Sequence, residues 1–389
     1  DGSEDEGRTL SYRTLDQLSD RLAAFLRRAG VRRGDVVVVY AGQGLIAALG
    51  PLAAYKLGAI NAPLSLLYGP QTVQHALSDS AARFLLGDAT AITGLRAAGV
   101  DLSRMALILA EGPETDGMAS LATALADAPD RFAAEATRAE DPALLLYTSG
   151  STGLPKGILH AHRLVLGYLA SVSMFYELDM TRTGMRLWTP SDWSWIAGIV
   201  NVMMTGWYFG QTVVAGQARF DPHWAFDFLE RQAVTHTFLT PTALKRMAEI
   251  PDPRSRWPRL ALRAIGTGGE PLPSAVLDWA RASLGLPINE FYGLTEVNHL
   301  IGNCQTLYPV RPGSMGRCYP GHEVAVIDEA GTPLPDGTVG EIAAHASDPT
   351  LFLGYLNQPD RTLAMRTGEW VRTGDFGLRD AAGYFWYQG

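Results

Sequence analysis

Between Leu15 and Leu86 the chain keeps switching between two hydrophobic periods, and this alternation restricts the fold more than any other feature. Leu15, Leu18, Leu22, Phe25 and Leu26 recur at three- and four-residue steps, which predicts an amphipathic helix stopped by Gly30. Residues 36–40 are a continuous apolar run of strand length. Residues 45–57 and 71–77 read as helices again, and 59–63 and 83–86 as strands. Such a succession builds right-handed crossovers and a mostly parallel sheet. A second set runs from Arg163 to Phe291, with strands near Val213, Phe238, Ala264 and Ile288. After about Arg311 short strands are broken by turns at 328–331, 336–337 and 380–383, the texture of a small β-barrel or distorted sheet. The expected class is therefore α/β. Two βαβ-type subdomains occupy residues 1–160 and 161–310, and a smaller β-barrel-like subdomain occupies 311–389.

At 389 residues the chain exceeds one compact core and predicts two or three packed units. A net charge of −8 argues against a nucleic-acid surface, which needs a basic face to displace counterions. No run of eighteen apolar residues occurs. The nearest, 196–210, carries Asn201 and Thr205 and reads as a buried helix. Cys304 and Cys318 form neither a metal spacing nor a disulfide framework. The polar, acidic residues 1–7 lack the apolar core of a signal peptide, and a cytoplasmic location is expected. Residues 110–140 read as a connector with one helix, and 250–258, rich in proline and arginine, as a surface loop.

Chemistry enters at residues 144–157. Leu144, Leu145, Leu146 and Tyr147 form a buried strand, and Thr148-Ser149-Gly150-Ser151-Thr152-Gly153 follows at once, closed by Pro155-Lys156-Gly157. Glycines let backbone N–H groups turn inward on an anion, and the hydroxyls add donors. Lys156 supplies a point charge suited to phosphate oxygens. The spacing is not that of the nucleotide-triphosphatase P-loop, because Pro155 and Gly157 stand where that pattern needs glycine and a hydroxyl. A helix carrying His160 and His162 at its flanks is expected next, with those histidines in packing roles. A second glycine pattern, Gly42-Gln43-Gly44-Leu45-Ile46-Ala47, resembles a dinucleotide fingerprint but lacks the acidic residue about twenty positions on. It reads as a tight strand-to-helix turn.

Thr148 to Gly157 resembles the signature loop of the adenylate-forming superfamily, which includes acyl-CoA synthetases, peptide-synthetase adenylation domains and luciferases. Gly268-Gly269-Glu270-Pro271, Tyr292-Gly293-Leu294-Thr295-Glu296, Gly340-Glu341-Ile342 and Thr373-Gly374-Asp375 recur downstream in that family's order. The likeness runs from about Arg8 to Gly389 and is nearest to bacterial short- and medium-chain acyl-CoA synthetases. It implies ATP, Mg2+ and CoA. It implies that Thr148, Ser149, Gly150, Ser151, Thr152, Gly153 and Lys156 hold the β- and γ-phosphates. Gly268, Gly269, Glu270 and Pro271, with Glu290, Phe291, Tyr292, Gly293 and Leu294, would frame adenine; Thr295 would donate to the α-phosphate and Glu296 hold the metal. Asp375 would accept from the ribose hydroxyls. Taken alone, Thr295-Glu296 would read as a helix start.

Residues 191–198 resemble the synthetase segment that opens the acyl-pocket helix, so Trp195 and Gly198, with Gly293 and Leu294, are expected to line the pocket. Glycine at 293, where acetate-specific relatives carry tryptophan, is expected to leave volume for an acid longer than acetate. Relatives continue past Gly389 into an arginine, a hinge and a small C-terminal domain, which is expected to be absent here. The resulting expectation is an AMP-forming acid–thiol ligase acting on a small carboxylic acid, ATP and CoA. Two alternatives stand beside it. One is an amino- or aryl-acid adenylating enzyme loading a carrier-protein phosphopantetheine, with Asp192 near the place of an amine-binding aspartate. The other is a non-catalytic ligand-binding relative.

Overall fold

A computed structural model describes residues 9–113, 115–129, 131–148, 153–216 and 219–389. The chain divides into two compact units, 1–157 and 158–389.

In the first unit the helix Tyr12–Arg28 begins where Ser11 Oγ accepts the Thr14 N–H at 3.1 Å, and it buries Leu15, Leu22 and Leu26. The strands are β1 (Val36–Tyr40), β2 (Ile60–Leu64), β3 (Phe84–Asp88), β4 (Leu107–Glu111), β5 (Ala119–Ser120) and β6 (Pro142–Thr148). They lie in the order β6-β2-β1-β3-β4-β5, every described pairing parallel. Helices Leu45–Lys56 and Pro70–Asp79 fall within a residue or two of where the hydrophobic period places them. The connector after β4 contains the helix Leu121–Ala126. The turn 42–47 has a structural use: Asp88 Oδ2 accepts the Gly42 N–H at 3.0 Å and Glu111 Oε2 the Ile46 N–H at 2.9 Å. The chain's own carboxylates hold the amides a dinucleotide phosphate would need.

The second unit continues β7 (Lys156–Ala161), which begins just before the division, and adds β8 (Arg186–Trp188), β9 (Thr212–Val213), β10 (His236–Phe238), β11 (Ala264–Gly268), β12 (Ile288–Leu294), β13 (Asn298–Gly302) and β14 (Ser314–Cys318). Then follow β15 (Val324–Ile327), β16 (Gly340–His345), β17 (Gly354–Tyr355), β18 (Arg366–Thr367), β19 (Trp370–Arg379) and β20 (Tyr384–Tyr387). A twelve-stranded sheet runs β15-β16-β19-β20-β14-β13-β12-β11-β10-β8-β9, with β18 beside β19. Its β9-to-β12 half is parallel, and it turns antiparallel at the β12–β13 hairpin. Except for β17, which pairs antiparallel with β7, the strands after Arg311 thus extend this same sheet, and among the described residues they close no barrel. One core gathers Trp188, Phe226, Trp257 and Ile265 under the parallel half, and another gathers Val297, Ile301, Ile342 and Phe385 under the antiparallel half. The expected surface loop 250–258 instead contains the short helix Pro253–Arg256. It is anchored by Trp257, which is 3% exposed and donates its indole N–H to Asp227 at 2.5 Å.

Candidate active site

The phosphate loop hangs between two fastened ends in the first unit. On the strand side, Tyr68 donates its hydroxyl to the Tyr147 carbonyl at 2.6 Å, and Tyr147 donates its own to Asp79 at 2.9 Å. Burial and the Asp79 charge raise the Tyr147 phenol, so it stays a donor. On the far side, His75 Nε2–H donates to the Pro155 carbonyl at 2.8 Å, and the same imidazole stands edge-on to Tyr147. Gly153 has φ +136°, a conformation that favours glycine. Ser149, Gly150, Ser151 and Thr152 lie outside the described residues. Thr148 closes β6 and Lys156 opens β7.

The loop therefore enters a strand, not the expected helix, and Lys156 works without a helix macrodipole behind it. His160 sits inside that strand, fully buried, with no protein partner at either ring nitrogen. Burial, with Arg163 adding to it, lowers its pKa to about 3, so it is a neutral packing group at pH 7.

In the second unit the adenine-motif residues come from β11 and β12, paired in parallel with Gly268 opposite Phe291 and Thr267 opposite Glu290. A Cβ on Gly268 would meet the Phe291 ring at 2.7 Å, so this glycine admits Phe291 rather than a ligand ring. Gly269, at φ +87° with open space where a Cβ would lie, is the position that leaves room. Glu270 accepts from the Thr242 hydroxyl at 2.6 Å, and Pro271 is exposed. Glu290 accepts the Leu272 N–H at 3.1 Å, and burial raises its carboxyl to about 7.

Tyr292 and Asp375 come together: the phenol donates to Asp375 Oδ2 at 2.8 Å. Glu341 braces Asp375 from behind. Its Oε1 accepts the Gly374 N–H at 2.8 Å, its Oε2 accepts Arg372 Nε at 2.6 Å, and Thr373 donates to the Ile342 carbonyl at 2.7 Å. The Gly340-Glu341-Ile342 motif thus builds the Asp375 turn, a role its spacing did not announce. Thr295 and Glu296 occupy the turn between β12 and β13, not a helix start. Glu296 is 6% exposed, and Tyr355, a residue no motif pointed to, donates its hydroxyl to Glu296 Oε1 at 2.7 Å.

Gly293 needs a correction. A Cβ there would lie 1.5 Å from the Asn298 carbonyl oxygen, at a register shift between Tyr292 and Gly293. The missing side chain admits the hairpin's own backbone and does not leave open pocket volume. Leu294 is half-buried against the Val297–Leu300 core.

In the acyl segment, Asp192 is buried and its Oδ1 accepts the Ser194 N–H at 3.0 Å, an Asx turn. A Cβ on Gly198 would strike the Asp192 carbonyl oxygen at 2.3 Å, so Gly198 closes that turn. Trp195 is 38% exposed. The helix that follows is a π-helix, Ala197–Met204, continued by the α-helical turn Thr205–Tyr208. It buries the Asn201 amide without a hydrogen-bond partner in the described structure. Its only sequence signal is one asparagine in an apolar run.

Among the described residues no group of three or more His, Cys, Asp and Glu side chains could hold a metal. One buried, anchored carboxylate at Glu296 still fits magnesium, which takes most of its oxygens from phosphate and water. No helix among these residues is long and apolar enough to cross a membrane.

Residues 2–356 match the family described as AMP-binding enzyme. The human mitochondrial acyl-coenzyme A synthetase ACSM4 is 30% identical over 97% of this chain and 66% of its own length. A 3-hydroxybenzoate–CoA ligase from an Aromatoleum species is 29% identical over 98% of this chain and 72% of its own. The crystal structure of an acyl-CoA synthetase from Brucella canis superposes on the whole chain with a TM-score of 0.90 at 27% identity, the chain covering 71% of it. The chain spans about two thirds of the length of such proteins. Sequence family, fold and motif order coincide, and this chain belongs to the AMP-binding enzyme family.

Proposed function

We propose that this protein activates a carboxylic acid larger than acetate with ATP and transfers the acyl group to CoA. The hydrogen bond between Tyr292 and Asp375 carries the reading, because it joins two motifs 83 positions apart into one group. An acid oxygen attacks the α-phosphorus, the bond to the β-phosphate oxygen breaks, and pyrophosphate leaves with that electron pair. The CoA sulfur then attacks the acyl carbon, the bond to the AMP oxygen breaks, and the thiol proton passes to solvent.

In this reading Lys156 and the hydroxyls of Thr148, Ser149, Ser151 and Thr152 neutralise the departing pyrophosphate, while Thr295 donates to the α-phosphate as charge grows there. Asp375, held by Tyr292 and braced by Glu341, accepts from the ribose hydroxyls. Tyr292 presents a ring face to adenine beside Gly269. Glu296 would hold magnesium, whose charge offsets that of the phosphates. Trp195 lines the acyl pocket, and the name of the 3-hydroxybenzoate–CoA ligase relative favours an aromatic acid.

Pyrophosphate exchange by the full-length protein, over aliphatic and aromatic acids of graded length, tests the first half-reaction. Exchange is expected with an acid longer than acetate and absent without acid. No exchange with any member of a wide panel would favour a ligand-binding relative. Mass spectrometry of the product with CoA, set against holo carrier protein, tests the second half. Asp192 spends Oδ1 on its own turn, which favours a plain carboxylic acid over an amino acid.

A further inference from the structure

The hairpin turn bearing Thr295 and Glu296 is gripped by a segment that carries no recognisable motif. Thr350 places its hydroxyl 2.9 Å from the Val297 carbonyl and 2.7 Å from Asp348 Oδ1, and its carbonyl accepts from Asn298 Nδ2 at 2.6 Å. The Phe352 N–H donates to the Glu296 carbonyl at 2.9 Å, and Tyr355 donates to Glu296 Oε1 at 2.7 Å. Main chain and side chain of Glu296 are both fastened to residues 348–355.

That segment is itself fixed. Asp348 accepts the Thr350 N–H at 2.8 Å on Oδ1 and His322 Nδ1–H at 2.7 Å on Oδ2, the two side chains being 0% and 1% exposed. Arg163 donates to the carbonyls of Pro349 and Leu351, and the Leu353 N–H to the Leu159 carbonyl at 2.7 Å. Asn298, held at φ +61°, accepts from the Tyr168 hydroxyl at 2.6 Å.

A hairpin turn linked only to its own strands lets a glutamate sample several rotamers. Bonds at the Glu296 carbonyl, the Val297 carbonyl and the Glu296 carboxylate remove that freedom before any ligand arrives. We propose that Tyr355 is a positioning residue for the Glu296 carboxylate, with Asp348 and Thr350 holding the turn beneath it. The proposal rests on the reading of Glu296 as the magnesium-holding carboxylate.

Calorimetry of ATP binding to the full-length protein, with and without magnesium, separates the possibilities. Pyrophosphate exchange titrated with magnesium accompanies it. In Tyr355→Phe, the gain in ATP affinity on adding magnesium is expected to shrink by about tenfold, and half-maximal exchange to need about tenfold more metal. Metal-free ATP affinity is expected to match the parent, which a general loss of structure would not allow. Thr350→Val, isosteric and buried, is expected to shift both readouts the same way and by less. If Tyr355→Phe does not fold, Thr350→Val decides between the outcomes. If Glu296→Gln loses the magnesium response while Tyr355→Phe and Thr350→Val keep it, the positioning role is wrong. Metal-free affinity falling as far as the metal-bound value overturns it too. If Glu296→Gln responds to magnesium like the parent, the metal assignment itself fails, and the proposal with it.

Discussion

A lysine that opens a strand differs from one at a helix start: no row of aligned amides adds positive potential behind it. Lys156 opens β7, so the charge it offers a polyphosphate is its own ammonium plus whatever donors the preceding loop supplies. Removing it should therefore cost a large share of the grip. Lys156→Ala is expected to slow pyrophosphate exchange on the order of a hundredfold or more while leaving the circular-dichroism spectrum unchanged. Unaltered exchange kinetics would exclude the assigned role. Gly293 makes the opposite case, a residue whose importance is steric. With the Asn298 carbonyl oxygen 1.5 Å from the site of a Cβ, even alanine must push the hairpin apart. Gly293→Ala is expected to lower unfolding free energy by about 3 kcal/mol or more in urea titration, through overpacking against backbone. A variant of parental stability with merely altered acid preference would restore the open-pocket reading.

The ends of the phosphate loop show how elements, not single residues, set a site. His75 lies on the helix Pro70–Asp79 and ties the Pro155 carbonyl to it, while Tyr68 just ahead of that helix ties Tyr147. One helix thus clamps both ends of the loop. His75→Ala should release one end and raise the KM for ATP about tenfold with a smaller change in kcat, since misplaced phosphate donors weaken a positioning function. Steady-state kinetics at varied ATP check this, and an unchanged KM would remove the clamp from the account. None of this was legible in the sequence, because His75 and Pro155 meet across eighty positions without a shared motif.

What could be read had local causes. Residues 36–40 and 144–148 are strands because apolar runs of that length fit buried parallel pairing, and the helices flanking them show their period directly. β7 escaped notice because Lys156–Ala161 mixes glycine, histidine and lysine with only two large aliphatics, too short for either period to declare itself. The π-helix at 197–204 is invisible for another reason: an apolar run interrupted only by Asn201 carries no phase from which a π-helix could be told from an α-helix. The motifs located Asp375 and Glu296, yet Glu341 and Tyr355, which hold them, became visible only as contacts.

At the scale of the whole molecule, the buried ionisable groups set how stability depends on pH. His160, His236 and His299 are all buried, and burial depresses all three imidazoles, His160 to about 3. A depressed imidazole contributes stability that is whole above its ordinary 6.5 and is lost as pH falls toward its folded value, because the unfolded chain binds the proton first. Glu290 works in the other direction. Raised from 4.5 to about 7, it contributes stability that is whole below 4.5 and is lost as pH rises to about 7. Between pH 4.5 and 6.5 the two effects oppose each other, and the imidazoles outnumber the carboxyl. The unfolding free energy from urea titration is therefore expected to climb across that window, by about 1.4 kcal/mol per pH unit for each net proton taken up on unfolding. Glu290→Gln deletes the opposing group and should steepen the climb, whereas His160→Phe, which keeps the buried ring without a titrating nitrogen, should flatten it. A parent free energy that falls from pH 4.5 to 6.5, or two variants with slopes in the reverse order, would mean that other groups govern the acid limb. The magnitudes favour the imidazoles because His160 has no hydrogen-bond partner at either nitrogen, so nothing in its surroundings offsets the cost of charging it.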